Sequence, residues 1–147
     1  MSRTVLYPPT IDWDFLFQRP QQIMLQFAKN GWKVLYCNKT QKKGKRPSEI
    51  SNNLYIYYSW KSLLQDYSNI GVDVFYSTWA VNYKLIDYIR AKVIVYDRLD
   101  DFKETSRYES SMIQKSDLVL NTSQILYEKS KKLHNNIILV PNACDYA

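Results

Sequence analysis

Hydrophobic and polar positions along the chain follow two spacings, one typical of β-strands and one typical of α-helices. Short runs rich in Val, Ile, Leu and Tyr, bounded by turn residues, predict strands at residues 3–7, 33–37, 54–58, 72–77, 93–96, 118–120 and 137–140. Segments with apolar residues three and four positions apart predict helices at residues 18–30, 60–67, 82–90, 104–115 and 123–133. Strands and helices therefore alternate along almost the whole chain.

This alternation determines the predicted fold class. Strands joined through helices form βαβ units, which build a parallel sheet with helices on both faces. The run at residues 93–96 is continuously apolar, as expected of a parallel strand covered on both faces. Gly31 is placed to end the first helix, and Thr122 or Ser123 to cap the last one. We predict an α/β, Rossmann-like domain that spans residues 1–141.

Composition adds a basic and aromatic character to this picture. The 147 residues are 46% hydrophobic and 23% charged, which is typical of a globular protein, and the net charge is +6. Thirteen Tyr and four Trp make the aromatic share high, so we expect some rings to serve a surface. One short stretch, predicted to be an exposed loop that suits phosphates or an anionic membrane face, holds Lys39, Lys42, Lys43, Lys45 and Arg46.

Several functional classes find no support in the sequence. The glycines form neither a dinucleotide-binding fingerprint nor a phosphate-binding P-loop. A single histidine, His134, makes neither a metal site nor a catalytic triad, and no nucleic-acid-binding signature occurs. Cys37 and Cys144 form no CxxC motif, and the chain shows no signal peptide or long apolar run. These features favour a reduced, cytoplasmic compartment.

Candidate chemistry follows from the fold, because doubly wound sheets bind ligands beyond the carboxyl ends of their strands. Four segments meet this description, at residues 8–14, 38–40, 77–79 and 97–101. The last holds three carboxylates and an arginine, which could supply a general base and its orienting partner. The alternative is structural: Asp100 or Asp101 caps the following helix while Arg98 pairs with a neighbour.

Four motifs in order resemble those of bacterial GT-B glycosyltransferases. Residues 13–36 are similar to a "W…RPQQ…LA…G..VLY" opening, and residues 96–102 to "YDxxDDF". Residues 116–123 resemble "ADLVxxTS", and residues 140–145 resemble "xPNGxD". The resemblance covers nearly the whole chain. It points to the large retaining family, family 4-like, that builds cell-wall and exopolysaccharide chains, including enzymes of the teichuronic-acid type.

The resemblance implies that this chain is one GT-B half-domain of a hexosyltransferase. Residues 1–141 would be the N-terminal, acceptor-side domain, and residues 142–147 the start of a linker to a donor-binding C-terminal domain absent from this sequence. The implied donor is a nucleotide-diphosphate sugar, without metal or other cofactor, and the acceptor is a glycan or a lipid-linked glycan in cell-surface polysaccharide synthesis. The fragment alone would be inactive. Peripheral contact with the inner face of the plasma membrane stays open, whereas nucleic acid is not an expected partner.

Site residues are carried over by position. Where the family usually has a histidine, after the fifth predicted strand, this chain offers Asp97 or Asp100, which we predict to be catalytic. The predicted substrate-binding residues are Asp12, Trp13, Arg19, Trp79, Arg98 and Asp101. Arg19 would contact a phosphate or sugar hydroxyls, and the two tryptophans would stack on sugars. For Trp13, a hydrophobic plug over the first helix is the alternative.

Two departures from the family pattern concern its loops. Ala143 replaces a usual glycine, and residues 8–13 replace the glycine-rich first loop with which many relatives contact the donor phosphate. Two other functions remain as alternatives: a GT-B-shaped sugar-nucleotide epimerase that uses carboxylates to abstract a proton, and a non-catalytic interaction domain with a basic patch. A second α/β domain with a Glu-rich motif would favour the glycosyltransferase.

Overall fold

The computed structural model describes residues 3–101 and 103–142. Strands in this part are β1 (Thr4–Tyr7), β2 (Lys33–Cys37), β3 (Ser48–Ser51), β4 (Leu54–Tyr57), β5 (Val72–Ser77), β6 (Ala91–Arg98), β7 (Leu118–Asn121) and β8 (Ile137–Leu139). The α-helices are α1 (Arg19–Lys29), α2 (Trp60–Tyr67), α3 (Ser106–Lys115) and α4 (Gln124–Lys131), and two 3₁₀ helices span Ala80–Tyr88 and Lys103–Thr105. No helix in these ranges is both long and apolar enough to cross a lipid bilayer.

All the described strands form one sheet in the order β3-β4-β2-β1-β5-β6-β7-β8, parallel except for the antiparallel β3. The chain begins in the middle of the sheet with β1 and builds outward through β2 and β4. It then returns to the other side of β1, where Val5 pairs with Val74 of β5. The order therefore reverses between β1 and β5, which is where doubly wound sheets open a ligand crevice.

Helices cover both faces of the sheet. On one face, Met24 of α1 packs in a buried cluster with Val5 of β1 and Tyr36 of β2. On the other face, Leu63 of α2 and Met112 of α3 join a second cluster beneath the sheet. These two apolar layers arise because alternate strand residues point to opposite faces. The predicted α/β, Rossmann-like class is confirmed.

Two predicted elements need correction, and one strand was not predicted. Strand β6 does not end at Tyr96 but continues to Arg98, where Asp97 and Arg98 pair with β7, so both charged residues belong to the strand. Val93 is 40% exposed and is therefore not covered on both faces. The predicted α-helix at residues 82–90 is the 3₁₀ helix Ala80–Tyr88, and polar β3 was missed because its sequence lacks β-prone alternation.

Other local predictions agree with the structure. Gly31 follows α1 with a φ of +86°, in the left-handed region that glycine tolerates best. Ser123, rather than Thr122, caps α4: its Oγ accepts a hydrogen bond of 3.3 Å from the backbone N–H of Leu126. The predicted linker, except for Asn142, lies outside the described residues, as do the motif residues Phe102, Ala143, Cys144 and Asp145.

Candidate active site cleft

A cleft of about 350 Å³ opens at the carboxyl ends of β1, β5 and β6, beside the reversal in strand order. Tyr7, the last residue of β1, and Thr78, directly after β5, lie at its base. Its walls include Lys39 and Trp79 from two loops, and Asp100 from the segment that follows β6. The cleft therefore combines an aromatic ring, an ammonium group and a carboxylate where the fold favours a ligand.

The base of the cleft is rigid and neutral. The hydroxyls of Tyr7 and Thr78 lie 2.6 Å apart and share a hydrogen bond. Burial raises the pKa of Tyr7 to about 12, so its hydroxyl stays protonated at physiological pH. Its ring stacks on Tyr36 with a centroid distance of 4.8 Å, which fixes the phenol in place.

Two carboxylates in the cleft wall have no partner among residues 3–101 and 103–142. Asp100 and Glu104 are both exposed and both line the cleft. No hydrogen bond or ion pair to another described residue engages either carboxylate. Free carboxylates at this position can accept a hydrogen bond from a substrate hydroxyl or act as a general base.

Glu104 was missed at the sequence level because it was predicted to begin a regular helix. Instead it lies in the 3₁₀ helix Lys103–Thr105, and α3 begins only at Ser106. Neither Asp100 nor Asp101 caps α3, since its N-cap position is Thr105. The Asp100 carboxylate is thus available for other contacts, whereas Asp101 forms the ion pairs described below.

Asp97 is fully buried and held by a bidentate ion pair. The Arg19 guanidinium donates from Nε to Oδ2 over 2.9 Å and from Nη2 to Oδ1 over 3.0 Å. The Tyr76 hydroxyl donates to Oδ2 over 2.6 Å, and burial together with the Asp97 charge raises the pKa of Tyr76 well above its usual range. Arg19 also donates to the Asn142 side chain over 3.2 Å. These contacts join the start of α1 to the end of β6. They give Asp97 the environment of a residue that positions other groups.

The catalytic role of Asp97 and the ligand contact of Arg19 stay predictions. Both Asp97 oxygens already accept hydrogen bonds inside the fold. All three nitrogens of the Arg19 guanidinium also donate within the fold, in four hydrogen bonds to Asp97, Asn142 and the Pro141 carbonyl. Asp100, which lines the cleft and is unpaired in the described chain, is therefore the better placed of the two predicted catalytic carboxylates.

Arg98 points to the opposite face of the sheet from Asp97. Its Nε lies 3.2 Å from Oε2 of Glu109, and its Nη1 donates to Ser130 over 3.1 Å. The Tyr96 hydroxyl lies 2.9 Å from both Glu109 oxygens. This buried network joins β6 to α3 and α4. Arg98 therefore has the pairing contacts of the structural alternative, and its predicted substrate contact stays a prediction.

Asp101 forms ion pairs at the surface beside this network. Its carboxylate accepts from Lys129 and lies 3.5 Å from Nη2 of Arg98. The hydrogen bond from Lys129 is the main cause that lowers the pKa of Asp101. Its predicted substrate contact stays a prediction, but the observed contacts tie the segment after β6 to α4.

Asp12 and Trp13 join the loop after β1 to the loop after β2. Asp12 accepts from the Thr40 backbone N–H over 2.8 Å and from its hydroxyl over 2.6 Å. Partial burial opposes ionisation of Asp12, but the hydrogen bonds from Thr40 outweigh it and lower the pKa. Trp13 donates its backbone N–H to Asn38 over 2.8 Å, and its ring packs edge-on against Tyr36 at 5.1 Å. Trp13 thus has the packing contacts expected of the alternative role, a hydrophobic plug, and its predicted stacking on a sugar stays a prediction.

Trp79 is the predicted aromatic residue that lines the cleft. The Lys39 ammonium lies 5.5 Å from its ring centroid, which places a cation beside the indole face.

Cys37 is buried at the end of β2, and burial raises its pKa to about 12, which disfavours a thiolate nucleophile. Within residues 3–101 and 103–142, no three His, Cys, Asp or Glu side chains gather as a metal site would require. That the reaction needs no metal stays a prediction.

Comparison with solved structures identifies a similar fold. Two structures of sucrose-phosphate synthase from Thermosynechococcus elongatus match with TM-scores of 0.65 and 0.68, each at 10% sequence identity. The matches cover 97% and 96% of this chain, and 90% and 48% of the respective solved chains. This chain therefore spans about half the length of the second structure. No family model and no curated protein matches the sequence. At this identity the likeness shows the fold alone.

Proposed function

We propose that this chain is the acceptor-side domain of a glycosyltransferase of the GT-B type. In this proposal the enzyme moves a sugar from a nucleotide-diphosphate sugar to a glycan or lipid-linked acceptor in cell-surface polysaccharide synthesis. A second domain would hold the donor, and no metal or other cofactor takes part. The family 4-like and hexosyltransferase assignments belong to the same proposal.

The observation that carries the proposal is the cleft at the reversal of strand order, whose wall holds two carboxylates with no partner in the described part of the chain. Asp100 and Glu104 are positioned to accept hydrogen bonds from an acceptor hydroxyl and to orient it toward a donor above the cleft. The indole of Trp79 offers a flat apolar surface for a sugar ring. The enzyme class is supported by the similar fold of sucrose-phosphate synthase. Nearly all of this chain aligns with about half of that enzyme's chain.

Sugar transfer itself is the first test. We expect the gene product in its natural length to transfer radiolabelled sugar from a panel of nucleotide sugars to glycan or lipid-linked acceptors. Residues 1–147 expressed alone should bind acceptor without sustained turnover, because the proposed donor domain contributes the other half of the site. Product formation is followed by chromatography of the labelled glycan. Sustained turnover by residues 1–147 alone would contradict the two-domain proposal.

The same assay tests a sugar-nucleotide epimerase as the second candidate. Two carboxylates that face one cleft also suit proton abstraction from a sugar carbon and its return. An epimerase would release an altered nucleotide sugar in the absence of any acceptor and would exchange a sugar proton with deuterium from solvent. We expect neither signal, since Trp79 in the cleft wall offers a flat surface for the ring of an acceptor sugar.

We propose a cytoplasmic location with peripheral contact to anionic lipid through the basic loop. All five cations of this loop are exposed, and Lys45 lies 3.9 Å from the Tyr58 ring centroid. Each charge near an anionic surface contributes about 1 kcal/mol of binding energy. Alanine at all five basic positions should therefore abolish co-sedimentation with phosphatidylserine vesicles at low salt.

A matched control removes the same number of charges from other exposed positions: Lys29, Lys92, Lys103, Lys131 and Lys132. This control should sediment with the vesicles like the unchanged protein. Equal loss by both variants would mean that net charge alone drives binding. Equal binding by the unchanged protein and the loop variant would leave the basic loop as a solvated turn.

A further inference from the structure

A second groove of about 360 Å³ lies beside the cleft. Trp79 and Lys39 line both spaces, so the groove and the cleft share a wall. Trp60, the first residue of α2, and Lys84, from the 3₁₀ helix Ala80–Tyr88, add a second indole and a second ammonium to the lining. None of the described residues that line the groove carries a carboxylate. The surface is aromatic and cationic.

The two ammonium groups are not neutralised within the described chain. Lys39 faces the Trp79 ring at 5.5 Å, and Lys84 faces the Tyr108 ring at 4.7 Å. Neither lies within 4 Å of a described carboxylate oxygen, whereas Lys115 pairs with Asp87 over 2.9 Å. An aromatic face attracts a cation but leaves its charge available to a ligand. The groove therefore attracts anions.

A fixed amide adds a polar group to this lining. Asn82 is 2% exposed, and its Nδ2 donates to Thr10 over 3.0 Å and to Ser77 over 3.1 Å. These two bonds set the orientation of the amide, and no described donor reaches its Oδ1. A carbonyl oxygen held in this way can accept a hydrogen bond from a sugar hydroxyl.

We propose that this groove binds a carbohydrate that carries an anionic group, either a carboxylate or a phosphate. The inference rests on the proposed function and names the substrate class: the acceptor is an acidic sugar. The C–H face of a sugar ring packs against the Trp79 indole, and Lys39 and Lys84 bind the anionic group. Asn82 contributes a hydrogen-bond acceptor that a neutral ring also uses.

Charge separates the two ends of such an acceptor. The groove offers only cations, whereas Asp100 and Glu104 place negative charge in the cleft on the other side of Trp79. An anionic substituent is therefore attracted to the groove and repelled from the carboxylates. A hydroxyl of the same molecule can then reach Asp100, where we propose that transfer occurs.

The test is calorimetric titration of the 147-residue chain with trigalacturonic acid and with its fully methyl-esterified, neutral trimer. At low salt the acidic trimer should bind about tenfold more tightly, and high salt should remove the difference. The double variant Lys39→Gln/Lys84→Gln should lose this preference while keeping the neutral binding. Trp79→Ala should weaken binding of both trimers. Galactose 6-phosphate compared with galactose distinguishes a phosphate from a carboxylate as the preferred anion.

The matched control is Lys92→Gln/Lys132→Gln, which removes two exposed charges outside the groove and should keep the preference. Equal affinity for the acidic and neutral trimers, with both lost on Trp79→Ala, would overturn the inference and leave the acceptor-side function standing. Absence of binding by all of these ligands at millimolar concentration would also overturn it, and the transfer assay would then decide the proposed function separately. Equal loss of preference in the control variant would show a non-specific charge effect and contradict the site.

Discussion

Asp97→Ala is expected to lower the free energy of unfolding by about 3–5 kcal/mol, the cost of breaking a buried ion pair from one side. The substitution leaves the Arg19 guanidinium without its bidentate partner and removes the acceptor of the buried Tyr76 hydroxyl. Arg19 is only 13% exposed, so water compensates the lost contact poorly. Urea unfolding of the 147-residue chain measures the change.

Asp101→Ala is the matched control for this prediction. Asp101 also pairs with cations, but its side chain is 40% exposed, and exposed pairs contribute about 0–1 kcal/mol. The double variant Arg19→Ala/Asp97→Ala should lose less stability than the sum of the single variants, because the two residues interact directly. A loss for Asp97→Ala no greater than that for Asp101→Ala would contradict the positioning role.

The Arg19–Asp97 pair illustrates what the sequence does not reveal. The two residues are 78 positions apart, and only the sheet order brings the start of α1 next to the end of β6. Both residues were singled out, each for contact with a ligand. Their pairing depends on β6 continuing past Tyr96, and charged residues are an unfavourable signal for a strand interior. Sequence pattern identified the residues but not their partners.

The fold itself was predictable because its central strands are apolar runs and its helices have clear spacing. Strands β2 and β5 match their predicted bounds, and α2 does as well. Two elements depend on tertiary context instead. The polar strand β3 exists because it pairs with β4 at the sheet edge, and the 3₁₀ helix Ala80–Tyr88 packs against α3. The sequence of β3 shows no alternation of apolar and polar residues, and the apolar spacing of residues 82–90 indicates a helix without distinguishing an α-helix from a 3₁₀ helix.

The candidate site was predictable in its location but only partly in its residues. The expectation that ligands bind beyond the carboxyl ends of strands selected the segments that contain Trp79 and Asp100. Both residues line the cleft, and their roles stay predictions. The same expectation selected Asp12 and Trp13, whose side chains connect two loops and do not line the cleft. Their substrate contacts stay predictions. Glu104 was missed because the 3₁₀ helix that brings it to the cleft looks like the start of α3 in sequence. The local sequence therefore shows which segments lie at the carboxyl ends of the strands, but it does not show which side chains of those segments point into the cleft.

Asp100→Asn should lower kcat for glycosyl transfer by roughly 100-fold in the gene product of natural length, if its carboxylate accepts the acceptor hydroxyl proton or orients that hydroxyl. The amide keeps the shape of the side chain but loses its negative charge. Asp100 is exposed and has no partner among the described residues, so the melting temperature should not change. This separation of activity from stability is the signature of a residue that acts on substrate.

Asp101→Asn provides the comparison one position away, because Asp101 pairs with Arg98 and Lys129 rather than lining the cleft. We expect it to lose less activity than Asp100→Asn. Glu104→Gln tests whether the second cleft carboxylate shares the role: if either carboxylate suffices, each single variant loses little and the double variant loses the full 100-fold. An Asp100→Asn/Glu104→Gln enzyme that turns over at the unchanged rate would show that neither carboxylate acts on the acceptor, and the chemistry would then belong to groups outside this cleft wall.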